Sequence, residues 1–480
     1  MSLAASPFDP NVLWAGSDDG LVYLTQDGGK TWKNVSPKKM QEGIVNSIEV
    51  SPHNPAKAYV VLMRYKSMDL TPYIFKTEDF GKSWNLITDG IEGDHTFVRV
   101  VRADKKVPGL LYAGTETGLY ISHDDGAHWK TFQNNLPVVP VNDLFIQDND
   151  LIAATAGRSF WILDDLSNIQ EQQQVKGLHL VTPKTAYRLS SGKTPKGSLQ
   201  GTNPVSGMNI DYHLAVSSDS LEVTLEILDK GEVIRRYTSK KPEKKNSWPG
   251  GPGSELILPK KEGFNRMHWD FRRAPVPAVN KVFVYGSYEG SRVGPGNYTA
   301  RLTYGEEQQE TTLTVLPNPK IEASQADFDE QQKLLVEIDN TLGDIHNAVT
   351  RMRNIQMQLQ HYGEVLKGKK EFLAVIDKAK TIEKKLKAWE VKLIQPKQKT
   401  FQDVINFNNK LNAEWMYLKG FVDSDDPKVT QGAKDRFQDL MEQWKTNENE
   451  LNAIIEVDFE AFESLYRSVE VPALVIQETK

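Results

Sequence analysis

The stretch TQDGGKTWKNV, residues 25–35, sets an Asp, two Gly, a Thr and a Trp within eight positions. Nearly the same string returns as TEDFGKSWNLI from Thr77 and as SHDDGAHWKTF from Ser122. Aligned, the three read S/T-x-D-x-G-x-x-W, with Asp27, Asp79 and Asp124 in register at separations of 52 and 45 residues. Flanking features travel with the box. AGSDDGLVYLT precedes the first and AGTETGLYIS the third, while SPFDPNVLW and SPHNPAKAY introduce the first two units. An eroded fourth copy stands in LIAATAGRSFWILDD, where an Asp is present but no Gly and Trp follow it. Short β-like runs recurring every ~40–50 residues predict propeller blades.

The box reads as a hairpin turn. Its Asp can accept hydrogen bonds from backbone N–H groups further along the turn. Gly29, Gly81 and Gly126 stand where the backbone needs positive φ. Trp32, Trp84 and Trp129 open the next strand and can bury a large apolar area between blades. The nine box residues, Asp27, Gly29, Trp32, Asp79, Gly81, Trp84, Asp124, Gly126 and Trp129, are therefore expected to be structural. A catalytic group is needed once, a staple once per blade.

The boxes resemble the Asp-box (BNR) repeats of sialidases, sortilin-type propellers and some glycoside hydrolases. His128 replaces the usual Ser or Thr in the third. SPFDPNVLWAGSDDGL, PYIFKTEDFGKSW, GLLYAGTETGLYIS and TAGRSFWILDDL further resemble the C-terminal half of large secreted bacterial proteins described as sortilin-like or as glycosyl hydrolases. Where that group carries T-H-G-R, this chain has Ala156 in place of the His, which weakens a catalytic role for the motif. The resemblance implies a ring with more blades than these three and a half, and an extracellular or periplasmic parent protein of which this chain is the C-terminal part. The start, MSLAASPFDP, has neither the basic nor the apolar region of a signal peptide.

The 480 residues suffice for two to four domains with cores of their own. A net charge of −6 argues against nucleic acid or an anionic membrane surface as the main partner. No run of eighteen apolar residues occurs, so no membrane span is expected. The absence of cysteine excludes disulfides, thiolate metal sites and cysteine nucleophiles.

After the polar stretch from Asp164 to Gly177, read as a linker or short helix, the texture changes. Met208, Ile210, Tyr212, Leu214 and Val216 alternate strictly, as do Leu221, Val223, Leu225 and Ile227, and then Met267, Trp269 and Phe271. DKGEV supplies a hairpin turn, and NSWPGGPGS reads as a flap or disordered loop. Residues 178–316 are thus expected to form an immunoglobulin- or fibronectin-like β-sandwich of about seven strands. From residue 320 the spacing steps by threes and fours. Leu335 to Leu366 predicts one long helix, with Ser324 and Asp327 at capping-box spacing before it. Further runs cover Phe372–Leu393, Phe401–Leu418 and Phe437–Leu451. Short turns between such helices predict an antiparallel bundle over 320–480, folding by itself. The expected division is therefore 1–168 for propeller blades, 178–316 for the sandwich and 320–480 for the bundle. The fold class is multidomain, β followed by α.

Chemistry is sparse. No P-loop, G-x-G-x-x-G, G-x-S-x-G or H-E-x-x-H is present, and no metal site or cofactor is expected. The blade segment has few Arg, and no pair of carboxylates for glycoside hydrolysis is evident in it. The longest departure from the blade pattern, MRYKSMD, gathers Arg64, Tyr65 and Asp69 and is the best candidate ligand surface. Arg158 has a similar claim, against the plainer reading of an ion pair with Asp164 or Asp165. Three readings follow. The first is a secreted, non-enzymatic binding or scaffold protein with no catalytic residues of its own. The second is a sortilin-like binder, so that the ligand is a polysaccharide or a protein or peptide on the propeller face. The third is a glycoside hydrolase of sialidase or xyloglucanase type whose catalytic groups lie mostly outside this chain.

Overall fold

The computed structural model describes residues 2–38, 40–172, 175–190, 206–241 and 247–469. Parts of the expected sandwich (191–205, 242–246) and bundle (470–480) lie outside these residues. The chain divides into two compact units, Met1–Val175 and Lys176–Lys480.

The first unit is a row of antiparallel meanders, as the repeat predicts. Blade 1 is β1 (Ser2–Ala5), β2 (Leu13–Gly16), β3 (Val22–Thr25) and β4 (Lys33–Asn34). Blade 2 is β5 (Ile44–Val50), β6 (Ala58–Met63), β7 (Ile74–Thr77) and β8 (Asn85–Leu86). Blade 3 is β9 (Val98–Ala103), β10 (Leu111–Thr115), β11 (Gly118–Ser122) and β12 (Lys130–Thr131). The eroded copy forms a three-stranded sheet of β13 (Val141–Gln147), β14 (Asp150–Thr155) and β15 (Phe160–Leu163), which we call blade 4. Strand alternation sends side chains to both faces of each sheet, so neighbouring blades share a core. Val22, Leu24, Ile48 and Phe75 fill the first inter-blade core. Tyr59, Ile74, Val101 and Tyr120 fill the second, and Tyr112, Ile121, Leu144 and Leu151 the third. The polar stretch that follows contains the short helix α1 (Ser167–Glu171).

The second unit holds two sheets and the helices. One sheet orders β16 (His179–Leu180), β18 (Met208–Leu214) and β21 (Gly263–Trp269). The other orders β17 (Ala186–Tyr187), β23 (Glu307–Leu316), β22 (Gly296–Tyr304), β19 (Val223–Asp229) and β20 (Glu232–Thr238). Ile210, Tyr212 and Trp269 from the first and Leu225, Leu302 and Leu313 from the second fill one core. Val216 and Leu221 are exposed, because the alternation runs past the strand ends at Leu214 and Val223. Lys230 and Gly231, both at positive φ, make the two-residue turn between β19 and β20. The flap settles on its neighbours, with Trp248 Nε1 donating to the Val282 carbonyl at 2.7 Å.

The long helix is α2 (Gln325–Val365), started by the capping box of Ser324 and Asp327. It is followed by α3 (Leu373–Leu393), α4 (Leu411–Val422), α5 (Gln431–Ala453) and α6 (Glu460–Ser468). The third expected run is not one helix. Phe401–Ile405 is a short 3₁₀ turn capped by Thr400 and Asp403, and α4 begins only at Leu411. The intervening carbonyls of Phe407 and Asn408 accept from the side chains of Gln398 and Gln395, which replaces helical bonding there. Phe401 accordingly points outward. The helical core also takes in Val276, Val279, Val282, Val284 and Tyr288, from the strap between β21 and β22.

Candidate functional site

The three boxes share one geometry. Asp27 accepts from Thr31 N (2.9 Å) and Thr31 Oγ1 (2.6 Å), and Gly29 N donates to Thr25 Oγ1 at 3.0 Å. Asp79 repeats this with Ser83 N and Oγ, and Asp124 with His128 N and Nδ1. Gly29, Gly81 and Gly126 all have positive φ, between 78° and 91°. The Thr31 hydroxyl holds the Asp27 carboxyl down to about 2, and the Ser83 hydroxyl does the same for Asp79. Burial works against ionising Asp124, but the His128 ring and N–H, with Ser122, still bring it to about 2. The aligned carboxylates of Asp27, Asp79 and Asp124 are thus each committed to their own turn.

The box Trp residues differ. Trp84 Nε1 donates to the Val35 carbonyl at 2.7 Å and Trp129 Nε1 to that of Ile87 at 2.9 Å, each reaching the preceding blade. Trp32 is 42% exposed. Blade 4, whose box lacks Gly and Trp, leaves against blade 3 a small cleft of about 50 Å³ lined by Phe132 and Trp161. Blades 2 and 3 are also tied by Asp125, which takes Lys57 Nζ at 2.6 Å and Lys76 Nζ at 3.1 Å.

The loop after β6 gathers three of the four candidate ligand residues. Arg64 pairs with Asp69, which also accepts from the Tyr73 hydroxyl at 3.0 Å. Tyr65 stacks on Phe97 with centroids 5.8 Å apart, and Arg99 lies over the same ring at 5.1 Å. Met68 beside them is 90% exposed, in a left-handed conformation. Arg158 lies apart, exposed, with its guanidinium on the Gly157 carbonyl at 3.4 Å. The ion pair expected with Asp164 or Asp165 is not formed. Asp165 instead accepts from Ser167 and Asn149.

A second polar cluster escaped the sequence reading. It spans β5, β9 and β13, the first strands of blades 2, 3 and 4. Arg102 donates to Ser47 Oγ (3.0 Å), the Leu144 carbonyl (2.7 Å) and Asp143 (2.7 Å), and lies 3.5 Å from Glu49. Burial raises the Glu49 carboxyl to about 6, with Arg102 opposing the rise. Asn46 Nδ2 reaches the Arg99 carbonyl at 2.6 Å, and Arg99 pairs with Glu116. The signal was present as polar residues interrupting apolar first strands, in IVNSIEV, VRVVRA and VNDLFIQ. It was missed because each strand shows only half of the pairing. Among the described residues no group of three or more His, Asp and Glu is placed to hold a metal.

The Sortilin-Vps10 family model (Sortilin, neurotensin receptor 3) matches residues 20–159. The oligoxyloglucan-reducing end-specific xyloglucanase of Emericella nidulans is 31% identical over 88 residues, which are 18% of this chain and 10% of that protein. The chain thus spans about a tenth of the length of the curated relative it matches. Among solved structures, YCF48 from Cyanidioschyzon merolae aligns over 44% of this chain and 66% of its own, at 19% identity and TM-score 0.26. The GH74 xyloglucanase from Xanthomonas campestris aligns over 64% of this chain and 44% of its own, at 12% identity and TM-score 0.27. No helix of the described residues is long and apolar enough to cross a membrane. With the three boxes folded alike and the family matched across them, residues 20–159 are a sortilin-like Asp-box repeat segment of propeller blades.

Proposed function

We propose that this chain is part of a secreted, non-enzymatic binding or scaffold protein, whose propeller blades present a face to a polysaccharide or to a protein or peptide ligand. The observation that carries this reading is the Arg102 guanidinium interposed between Glu49 and Asp143, at 3.5 and 2.7 Å. A glycosidase needs one carboxyl to give a proton and a second to attack or to activate water; here both are bound to one cation. The ligand surface is the loop of Arg64, Tyr65 and Asp69 with the Phe97–Arg99 stack beside it, with Arg158 as an outlying contact. Its fixed aromatic face and ion pair suit a sugar ring or a peptide side chain. The parent protein is extracellular or periplasmic. Residues 178–316 serve as an immunoglobulin- or fibronectin-like support and 320–480 as a helical one, following in sequence the blades of 1–168.

A second reading, a glycoside hydrolase, draws on the raised Glu49 carboxyl, in the state a proton donor requires. The two are separated by incubating the purified chain with xyloglucan oligosaccharides and a panel of chromogenic glycosides, alongside glycan and peptide binding arrays. The binding reading expects no turnover, and binding that weakens in Tyr65→Ala at an unchanged melting temperature. Turnover abolished by Glu49→Gln or Asp69→Asn overturns it.

A further inference from the structure

Blades 2 and 3 each lay a Trp on the blade before them, and blade 4 does not. Val35, Ile87 and Phe132 hold one position in the repeat. Each directly follows the fourth strand of its blade, and each donates its backbone N–H to the third strand, to the carbonyls of Val22, Ile74 and Leu119 at 2.9, 2.9 and 2.8 Å. The next blade covers the first two. Trp84 Nε1 donates to the Val35 carbonyl and Trp129 Nε1 to the Ile87 carbonyl. The box glycines come close as well: a Cβ on Gly81 would lie 2.7 Å from Val35 Cβ, and one on Gly126 2.4 Å from Ile87 Cδ1.

Phe132 has no such cover. A Trp stands five residues after Asp27, Asp79 and Asp124, but five after Asp165 stands Gln170, in α1. Its amide donates to Asp104 Oδ2 at 2.9 Å and to Asn149 Oδ1 at 2.8 Å. Trp161 on β15 does not take over the role, because its indole N–H is spent on the Arg158 carbonyl at 2.9 Å. Among the described residues no donor reaches the Phe132 carbonyl. The result is the cleft between blades 3 and 4, lined by Phe132, Trp161, Leu151 and Leu163, with Asn134 and Asn135 exposed at its rim. Gln133 fixes that rim, with Nε2 donating to the Leu136 and Pro137 carbonyls, both at 2.8 Å.

We propose that this cleft binds a Trp side chain of a polypeptide ligand, whose indole N–H donates to the Phe132 carbonyl and whose ring packs on Phe132 and Trp161. The chain itself shows the fit, since the equivalent surface takes an indole in this way twice. Aromatic rings meeting edge-on or offset add to the gain from burial. The exposed amides of Asn134 and Asn135 offer donors and acceptors to the backbone groups that flank a Trp in a peptide. The site belongs to blades 3 and 4, and the loop of Arg64, Tyr65 and Asp69 takes no part in it.

The test titrates the full chain with end-blocked Gly-Trp-Gly, with its 1-methylindole analogue and with end-blocked Gly-Phe-Gly, followed by NMR. The Trp peptide, in the millimolar range expected of a single side chain, shifts the Trp161 indole N–H and the Phe132 ring. The methylated analogue and the Phe peptide bind about 10-fold more weakly, having no donor for the carbonyl. Phe132→Ala loses the binding and Tyr65→Ala keeps it, so the cleft and the loop of Arg64 stand or fall separately. Should Phe132→Ala not fold, the methylated analogue decides the matter on the unaltered chain. Equal binding of the three peptides overturns the proposal, as do shifts that spare Trp161 and Phe132, or no shift at all. It is also overturned if those two signals move with chain concentration alone, which makes the occupant a second copy, or if a xyloglucan oligosaccharide displaces the Trp peptide, which makes the cleft a glycan site.

Discussion

A fragment containing only residues 320–480 is expected not to melt as a cooperative unit, although the helical spacing by itself predicts that it does. The reason lies in the strap between β21 and β22. Val276, Val279, Val282, Val284 and Tyr288 are each 4% exposed or less, and all belong to the helical core. Full burial of such a side chain stabilises by about 1.5–3 kcal/mol. Removing five of them costs about 8–15 kcal/mol, and the lower end applies because unfolded chains already bury part of this surface. The strap also supplies polar partners. His346 Nδ1, fully buried, meets the Pro277 carbonyl at 2.6 Å, and Arg353 donates to the Asn280 carbonyl at 2.9 Å. Lys419, 4% exposed, donates to the Glu289 carbonyl. Each buried group left unpaired adds about 1–3 kcal/mol.

The combined loss matches the ~5–15 kcal/mol that holds a whole domain together. Far-UV circular dichroism should show residual helix in the fragment with a broad, non-cooperative thermal decay, while the full chain melts sharply. In the full chain, Val284→Ala should cost about 2 kcal/mol by urea denaturation. A sharp transition for the 320–480 fragment, within about 5 °C of the full chain's helical transition, would refute the reasoning and make the strap a passenger.

Asp79→Ala should cost about 1 kcal/mol by unpairing the Ser83 N–H and hydroxyl, and ligand binding should persist; lost binding at unchanged stability would give the box a direct functional role. Glu49 has a folded-state value of about 6 against an ordinary 4.5, so the folded chain holds more protons between those pH values and loses stability as pH rises through them. That slope amounts to about 2 kcal/mol, and urea midpoints at pH 4.5 and 7.5 should show it vanish in Glu49→Gln. Arg292→Ala should cost about 2–4 kcal/mol in denaturant titration, since it removes partners at 3.1 and 2.7 Å from Asp423 and Asp425. A change below ~0.5 kcal/mol would mean that Arg188 and Arg272 hold Asp423 by themselves.

Repetition made the blades legible and concealed the polar cluster between them. The box is local: Asp27, Thr31 and Thr25 meet within one turn of chain, so the hydrogen bonds of Asp79 and Asp124 could be read off the first copy. Period-two and period-three-four runs are local too, which is why the strands at Met208–Leu214 and Val223–Asp229 and the helix from Gln325 were foreseen. Non-local pairings were not. Nothing near Val282 in sequence says that it belongs with α2 and α3, and nothing in IVNSIEV says that Glu49 faces an Arg 53 residues later. The break before α4 failed for a different reason, because side-chain amides from a neighbouring segment outbid helical bonding.

The same contrast sorts the candidate residues. A group present in every blade answers a need that every blade has, which is closure of its outer turn and contact with the next blade. Glu49, Arg102 and Asp143 break that symmetry: Ser2 to Ala5, the first strand of blade 1, has no charged residue, and Glu49 is matched in register by Ala4. Arg102 cannot be explained by blade closure, since Tyr112 opposite it and Val100 and Val101 beside it already fill the cores. Its cost in desolvation is met by five acceptors drawn from three blades. It therefore fixes the relative placement of three first strands, one of which, β5, pairs with β6, the strand that leads into the loop of Arg64, Tyr65 and Asp69. Arg102→Leu should then disturb the stacking of Tyr65 on Phe97, one strand away, as well as stability. A chemical shift of the Tyr65 ring unmoved in that variant would separate the cluster from the loop and leave Arg102 a purely structural clasp.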